Sequence, residues 1–512
     1  MTAYRDTRGR SAQPRAFTDV LLEGIAPGGG LFVPERLPAF TLEQVVGLAA
    51  LPYRRRAAAV FEAFGLDVDA AHVTAIADAA YGPNFDDPAV APVREVAPGR
   101  FVLELWHGPT LAFKDMALQC MPLFFSQALE QAHADGRTAF DFLILVATSG
   151  DTGVAALDGF ADRGHTRIAV FYPDAGVSAL QQRQMTTQPG DNLTVLALDG
   201  DFDDCQSAVK AVFDDEAFAA ELGARFGLAL SSANSINWGR LLPQIAYYVS
   251  AYADLAAAGA LVAGAPLDVC VPTGNFGNIL AAYYAKGMGV PIGRLLCASN
   301  TNAVLADFIA TGVYDISARP LVKTPSPSMD ILVSSNLERL LYDLSGDPAL
   351  VAGWMHELRE RRRFAVDGET KARLQGLLTG DWVDDETCLR TIGAVHAEHG
   401  YLLDPHTAVA WETAARLGGE APVLVVSTAH WSKFAADVVR GLTGVAPGGP
   451  LAGVDDAFAL LDRVLELAPG VTMPPQMEAV RTRPVRFSGR VGAGREAVEQ
   501  SLRDWLAGDA SQ

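Results

Sequence analysis

One local pattern recurs along this chain: a short apolar run, a turn rich in Gly or Ser, then a helical stretch. FLILVA (142–147) leads into TSGDTG and VAALDGFAD. IAVFY (168–172) leads into PDAG and VSALQQRQM. LTVLAL (193–198) leads into DGDFDD and a helix over about 205–222. LALSS (228–232) precedes ANSINWGR and a long helical stretch to about 255. LDVCV (267–271) leads into PTGNFGN and ILAAYYAKGM, RLLCAS (294–299) into NTNAVLADFIA, and VLVVS (423–427) into TAHWSKF and AADVVRGL. Strands this apolar must be covered on both faces. Strands alternating with helices require crossover connections, so the pattern predicts an α/β fold: open parallel sheets with helices on both faces. Ligands of such sheets bind beyond the carboxyl ends of the strands. The polar turns are therefore where chemistry is to be sought.

The rest of the chain reads differently. Residues 1–98 carry more Arg, Pro and amphipathic helix, as in LEQVVGLAAL, and are expected to form an N-terminal domain. A core is expected over 99–450, with a mobile small subdomain around 140–230. The stretch 330–403 is helical and charged. Its RERRRF cluster (359–364) fits a solvated helix face better than an anion site. PGGPLAG (447–453) reads as a linker, and 451–512 as a helical C-terminal appendage with a modest basic strip at RTRPVRFSGR.

Bulk properties exclude several roles. A net charge of −20 repels nucleic acid and anionic membrane surfaces, so neither is an expected partner. It also repels phosphorylated substrates at long range, so any anion site must be built locally. Cys120, Cys205, Cys270, Cys297 and Cys388 are scattered, with no CxxC pair, which argues against disulfides or a cysteine-built metal site. No secretory h-region opens the chain and no apolar stretch approaches the ~20 residues of a membrane span. A cytoplasmic location is expected, with the protein a monomer or homodimer.

Four turns carry possible chemistry. In WHGPTLAFKDMALQ (106–119), Lys114 sits among apolar neighbours. Desolvation lowers an amine's pKa and suits it to Schiff-base chemistry, although most lysines are simply surface charges. In ATSGDTGVAAL (147–157), a strand passes into a helix through Gly150 and Gly153. The free N–H groups of a helix start attract a carboxylate or phosphate, or Ser149 or Asp151 merely caps the helix. In VPTGNFGNILA (271–281), the amides of Gly274, Asn275, Phe276 and Gly277 can cradle a small phosphate group. In VVSTAHWSKF (425–434), Thr428 falls just past a buried strand and can meet a ring nitrogen. His430 and Lys433 lie close by. In DPHTAV (404–409), His406 reads as a structural histidine.

Together these segments resemble threonine synthase, a fold-type-II pyridoxal-phosphate family. The resemblance also takes in TRG (7–9), GGLFVPE (29–35), SANSINWGRLLPQI (232–245), LDPHTAV (403–409) and STAH (427–430). It implies pyridoxal 5'-phosphate on Lys114, its phosphate on Gly274, Asn275, Phe276, Gly277 and Asn278, and Thr428 at the pyridine nitrogen. It implies a substrate carboxylate at Thr148, Ser149, Asp151 and Thr152. Asn234, Asn237 and Arg240 are expected at the substrate phosphate, with Lys433 and Arg183 as weaker candidates. Two positions depart from the family pattern: Asn278 stands where Asp is common, and Trp431-Ser432 replaces Pro-Ala.

The implied reaction converts O-phospho-L-homoserine and water to L-threonine and phosphate by γ-elimination and β-addition. A phospho-lyase or a serine/threonine dehydratase is the alternative on the same fold. A non-catalytic amino-acid-binding protein is disfavoured by the intact lysine and glycine turn. A dinucleotide oxidoreductase is disfavoured by the lack of GxGxxG. No metal is expected in the site.

Overall fold

The computed structural model describes residues 2–11, 13–174, 177–451 and 456–508. The end of the PDAG turn and the last residues of the PGGPLAG segment lie outside them. In chain order the strands are β1 (Tyr4–Asp6), β2 (Phe32–Pro34), β3 (Val93–Ala97), β4 (Arg100–Glu104), β5 (Asp141–Ala147), β6 (Thr166–Pro173), β7 (Leu193–Leu198) and β8 (Leu228–Ser231). They continue with β9 (Leu267–Pro272), β10 (Ile292–Ser299), β11 (Val313–Asp315), β12 (Arg363–Ala365), β13 (Leu378–Trp382), β14 (Val423–Ser427) and β15 (Gly489–Val491).

Two sheets form the frame. The larger has the order β13-β10-β9-β14-β4-β3, parallel except for the β3–β4 edge. The smaller has the order β15-β7-β6-β5-β8 and is parallel throughout. Each of the seven apolar runs forms one of these strands. Every residue of β9 and of β14 is buried, as covering on both faces requires. The strands without an apolar signature lie mostly at edges. β3 (VREVA) is half exposed and β15 has three residues. The helix expected over 205–222 is two helices, Phe202–Phe213 and Glu216–Phe226; Asp215 caps the second by accepting the Phe218 N–H.

The N-terminal part shares its core with the main body. Phe17 packs edge-on against Phe124, centroids 5.4 Å apart, and Tyr4 against Trp238 at 5.6 Å. The C-terminal part is helical apart from β15, which extends the smaller sheet, while the helix Ala457–Leu467 packs on Ala435–Thr443 and thus on the larger. Within the described residues no helix is long and apolar enough to cross a membrane.

One close approach positions the site. The helix Asp151–Phe160 lies so near the segment Asp115–Leu118 that a Cβ on Gly159 would fall 1.9 Å from the Leu118 carbonyl oxygen. Only glycine permits this spacing. Gly159→Ala is expected to cost about 1–3 kcal/mol as overpacking forces the helix away. Urea unfolding checks this, and an unchanged midpoint would show that the contact is not tight.

Candidate active site

Lys114 follows the Gly108-Pro109 turn at the head of the short helix Asp115–Leu118. Asp115 folds back to close that turn, its carboxylate accepting the N–H of Thr110 at 2.9 Å and its hydroxyl at 2.6 Å. Burial pushes the Asp115 carboxyl up to about 7 against these hydrogen bonds. A Cβ on Gly108 would lie 2.5 Å from Asp115, so the turn needs glycine there. The next residues pair with the chain beyond β14. The Phe113 N–H donates to the Thr428 carbonyl at 2.8 Å, the His430 N–H donates to that of Leu111 at 3.0 Å, and Ala112 bridges Ala429. This short antiparallel pairing sets Thr428 opposite Phe113, the residue before Lys114. Among the described residues the Thr428 hydroxyl has no hydrogen-bond partner.

The Lys114 amine lies 3.6 Å from Asp151 Oδ2 and 4.8 Å from the Phe113 ring centroid. Burial, reinforced by the neighbouring Arg240 and Lys433 cations, pulls its pKa below the usual lysine value, with Asp151 opposing. Asp151 is shared. Its Oδ1 lies 2.9 Å from the ammonium of Lys433, a fully buried side chain, and accepts from the Gln181 amide at 2.8 Å. Its Oδ2 accepts from the Ser328 hydroxyl at 3.2 Å. Burial alone would raise the Asp151 carboxyl, but Lys433 and Lys114 together hold it well below the usual range. Lys433 is fixed further by donating to the Thr110 carbonyl at 2.7 Å.

Two loops present free amides to this cluster. At the start of the helix Asp151–Phe160 the capping oxygen belongs to Thr148, not to Ser149 or Asp151. Its hydroxyl accepts the N–H groups of Gly150 at 3.0 Å and Gly153 at 2.8 Å. Gly150 has φ 134°, and a Cβ there would lie 2.5 Å from the Gln181 side chain. The Thr148 hydroxyl is therefore committed to the loop. The amides of Ser149, Asp151 and Thr152 have no acceptor among the described residues.

The second loop is the glycine turn after β9. Phe276 takes φ 67° and begins the helix Gly277–Gly287. Among the described residues none of the amides of Gly274, Asn275, Phe276, Gly277 and Asn278 donates to the protein. The Asn278 side chain accepts from Tyr247 at 2.7 Å and Tyr248 at 2.5 Å, so it braces the helix behind the turn. Ser328 ties the two loops together. Its hydroxyl meets Asp151, its N–H donates to His406 Nε2 at 3.1 Å, and its carbonyl oxygen lies 2.7 Å from where a Gly274 Cβ would stand. Sequence reasoning missed Ser328 and Gln181, since SPSMD lies outside the strand-turn-helix pattern and Gln181 is indistinguishable from an ordinary helical residue.

Arg240 is 2% exposed, yet no carboxylate pairs with it among the described residues. One guanidinium N–H donates to the Ala233 carbonyl at 2.7 Å, and Nε has no partner. Burial lowers its pKa to about 10, which still leaves a cation at neutral pH. A buried unpaired cation costs several kcal/mol unless an anion meets it.

Other candidates are committed elsewhere. The Asn237 side chain donates to the Leu21 carbonyl at 2.9 Å and accepts from the Gly239 N–H at 2.9 Å, capping the helix Trp238–Ala257. Both ends of its amide are occupied in this way, which leaves the expected contact with substrate phosphate to Arg240 and Asn234. Asn234 is half-buried and its side chain is unbonded among the described residues. Arg183 donates to the Arg483 carbonyl at 2.7 Å and so fastens the C-terminal segment. His406 pairs with Asp404 at 2.8 Å while its Nε2 accepts from Ser328, the pattern of a structural imidazole. Burial drives His430 down to about 3, so it is neutral.

Two mainly parallel sheets, with a buried lysine and a glycine turn beyond the strand ends, define the fold-type-II class of α/β proteins. Its solved relatives agree along nearly the whole chain. The structure of threonine synthase from Brucella melitensis with bound PLP superposes with a TM-score of 0.85 at 36% identity, covering 98% of this chain and 99% of that one. The yeast threonine synthase structure gives 0.85 at 31% identity, covering 99% of each. A family model described as threonine synthase N terminus matches residues 3–81. The threonine synthase of Pseudomonas aeruginosa is 40% identical over 90% of this chain and 94% of its own length. The human protein named threonine synthase-like 1 is 43% identical over 83% of this chain, but this chain spans only 58% of that relative. The protein belongs to the threonine synthase family.

Proposed function

We propose that this protein is a pyridoxal-phosphate enzyme converting O-phospho-L-homoserine and water to L-threonine and phosphate. The observation that carries the reading is the buried amine of Lys114, its pKa lowered by burial and by the nearby Arg240 cation, whose Nε has no hydrogen-bond partner among the described residues. The cofactor fits the residues present. Five successive amides, 274–278, without acceptors among the described residues suit its phosphate, and the Thr428 hydroxyl, unbonded among those residues, suits a ring nitrogen. When bound, the cofactor supplies an electron sink for charge developing at the substrate Cα.

The chain's own residues divide the remaining work. Lys114 takes the proton from Cα and serves as the acid in later proton returns, its lowered pKa suiting that exchange. Asp151 stays charged and holds Lys114 in place while anchored by Lys433. The free amides of Ser149 and Thr152 bind the substrate carboxylate. Arg240, with Asn234, receives the substrate phosphate, since a guanidinium grips two oxygens at once. The β5–β8 region carrying the 148–152 loop is read as the small subdomain that closes over substrate and excludes water.

Arg240→Ala is expected to lower kcat/KM for O-phospho-L-homoserine by about 10²-fold, matching the ~3 kcal/mol upper range for a charged hydrogen bond. The cofactor absorbance should be unchanged. Unaltered steady-state kinetics would move the phosphate site elsewhere. A threonine-synthase-like phospho-lyase is the second reading, kept because relatives at 43% identity are named threonine synthase-like 1 and not threonine synthase. A 2-oxo acid and ammonia beside the phosphate would support it over threonine formation.

A further inference from the structure

Three metal-ligand side chains meet at the end of the smaller sheet opposite the active site. His133 lies in the last turn of the helix Met121–Ala134, Asp141 opens β5, and His165 immediately precedes β6. His165 Nδ1 lies 2.8 Å from Asp141 Oδ1, and His133 Nε2 lies 3.9 Å from the same oxygen. The imidazoles stand edge to face, centroids 5.1 Å apart and planes at 85°. One ligand atom from each residue falls within 4.8 Å of the other two. The backbone holds two of the three: the Asp141 N–H donates to the Gly227 carbonyl at 2.9 Å, and the Phe142 N–H donates to that of His165 at 3.0 Å. Among the described residues no Lys or Arg pairs with Asp141; its ion-pair partners are these two histidines.

We propose that His133, Asp141 and His165 form a site for a divalent transition-metal ion of the Zn²⁺ or Ni²⁺ type, with water completing the coordination. Two imidazoles and one carboxylate match the borderline ions, whereas Mg²⁺ and Ca²⁺ take oxygen shells. Zinc bonds of ~2.0–2.1 Å in a tetrahedron keep ligand atoms about 3.3 Å apart. The observed spread needs shifts of about 1 Å in partly exposed side chains, which rotamer adjustment supplies. His133 gives up a 3.0 Å contact to the Phe140 carbonyl, a loss of only about 1 kcal/mol at an accessible position. The net charge of −20 raises the local concentration of cations. The spacing 133, 141, 165 follows no familiar ligand motif, so the cluster is invisible before folding. β5 spans seven residues, placing the cluster roughly 20 Å from the 148–152 loop. The ion therefore pins a helix end to two strand starts and takes no part in the reaction.

Isothermal titration of the full-length protein with Zn²⁺ tests this, beside His165→Ala and Asp141→Asn. The wild-type protein should show a saturable site that excess Mg²⁺ does not displace. Each variant should bind at least about tenfold more weakly. Co²⁺ loading should give a visible ligand-field spectrum in the wild type that both variants lose. Turnover and thermal unfolding without metal should match the wild type, separating this site from the proposed reaction. Equal Zn²⁺ affinity in wild type and variants, or no saturable binding, would overturn it.

Discussion

Lys114→Ala should lower threonine formation by about 10³-fold or more, since general acid–base transfer alone supplies roughly 10²–10⁴ and the covalent anchor is lost with it. The substitution removes an amine held among Asp151, the Phe113 ring and the bridge to residues 428–430. Pyridoxal phosphate should still associate, because the 274–278 amides do not depend on that side chain. Borohydride treatment followed by peptide mass analysis distinguishes the two proteins. The wild type should carry a reduced adduct on Lys114, and the variant none. Substantial residual turnover would show that another base does the work, and an adduct on Lys433 would show that the lysine was misassigned.

Asp151→Asn should have the largest effect on stability. The carboxylate sits between two cations, one of them the fully buried Lys433. Removing the charge strands Lys433 in a dry environment. Breaking a buried pair in this way costs about 3–5 kcal/mol, because the remaining ion stays desolvated. The Gln181 and Ser328 hydrogen bonds can re-form with an amide, so they do not offset the lost charge. The midpoint of chemical unfolding should fall accordingly. The double variant Asp151→Asn, Lys433→Met should recover part of the loss, since it leaves no stranded charge. A single variant within 1 kcal/mol of wild type, measured by guanidinium unfolding, would show that Lys433 finds another partner.

The central strands were legible in the sequence because burial on both faces leaves a continuous apolar run. β9 and β14 show this directly. Their ends also marked where the polar loops would gather. Edge strands such as β3 and β15 carry no such signal, as only one side needs covering. The site was legible as a set of segments, through the family resemblance, and not as a geometry. Lys114, Asp151 and Lys433 come from three distant parts of the chain, and nothing local reveals that one carboxylate serves both lysines. At the 147–153 turn the sequence offers Ser149 or Asp151 as a cap beside the anion-binding reading, and in the fold the Thr148 hydroxyl accepts the Gly150 and Gly153 N–H groups. All three have an oxygen near the turn, and which one the amides reach depends on a backbone geometry, φ 134° at Gly150, that the sequence alone does not fix. Asn237, within SANSINWGR, is expected from the resemblance at the substrate phosphate. In the fold it is a helix cap, with both amide atoms occupied.

Product analysis of the purified, pyridoxal-phosphate-loaded protein with O-phospho-L-homoserine bears most directly on the assigned activity. L-threonine and inorganic phosphate should appear together in equal amounts, and both should fall by about 10³-fold or more with the Lys114→Ala protein. Release of a 2-oxo acid and ammonia in place of threonine, or no turnover at all, would contradict the assignment.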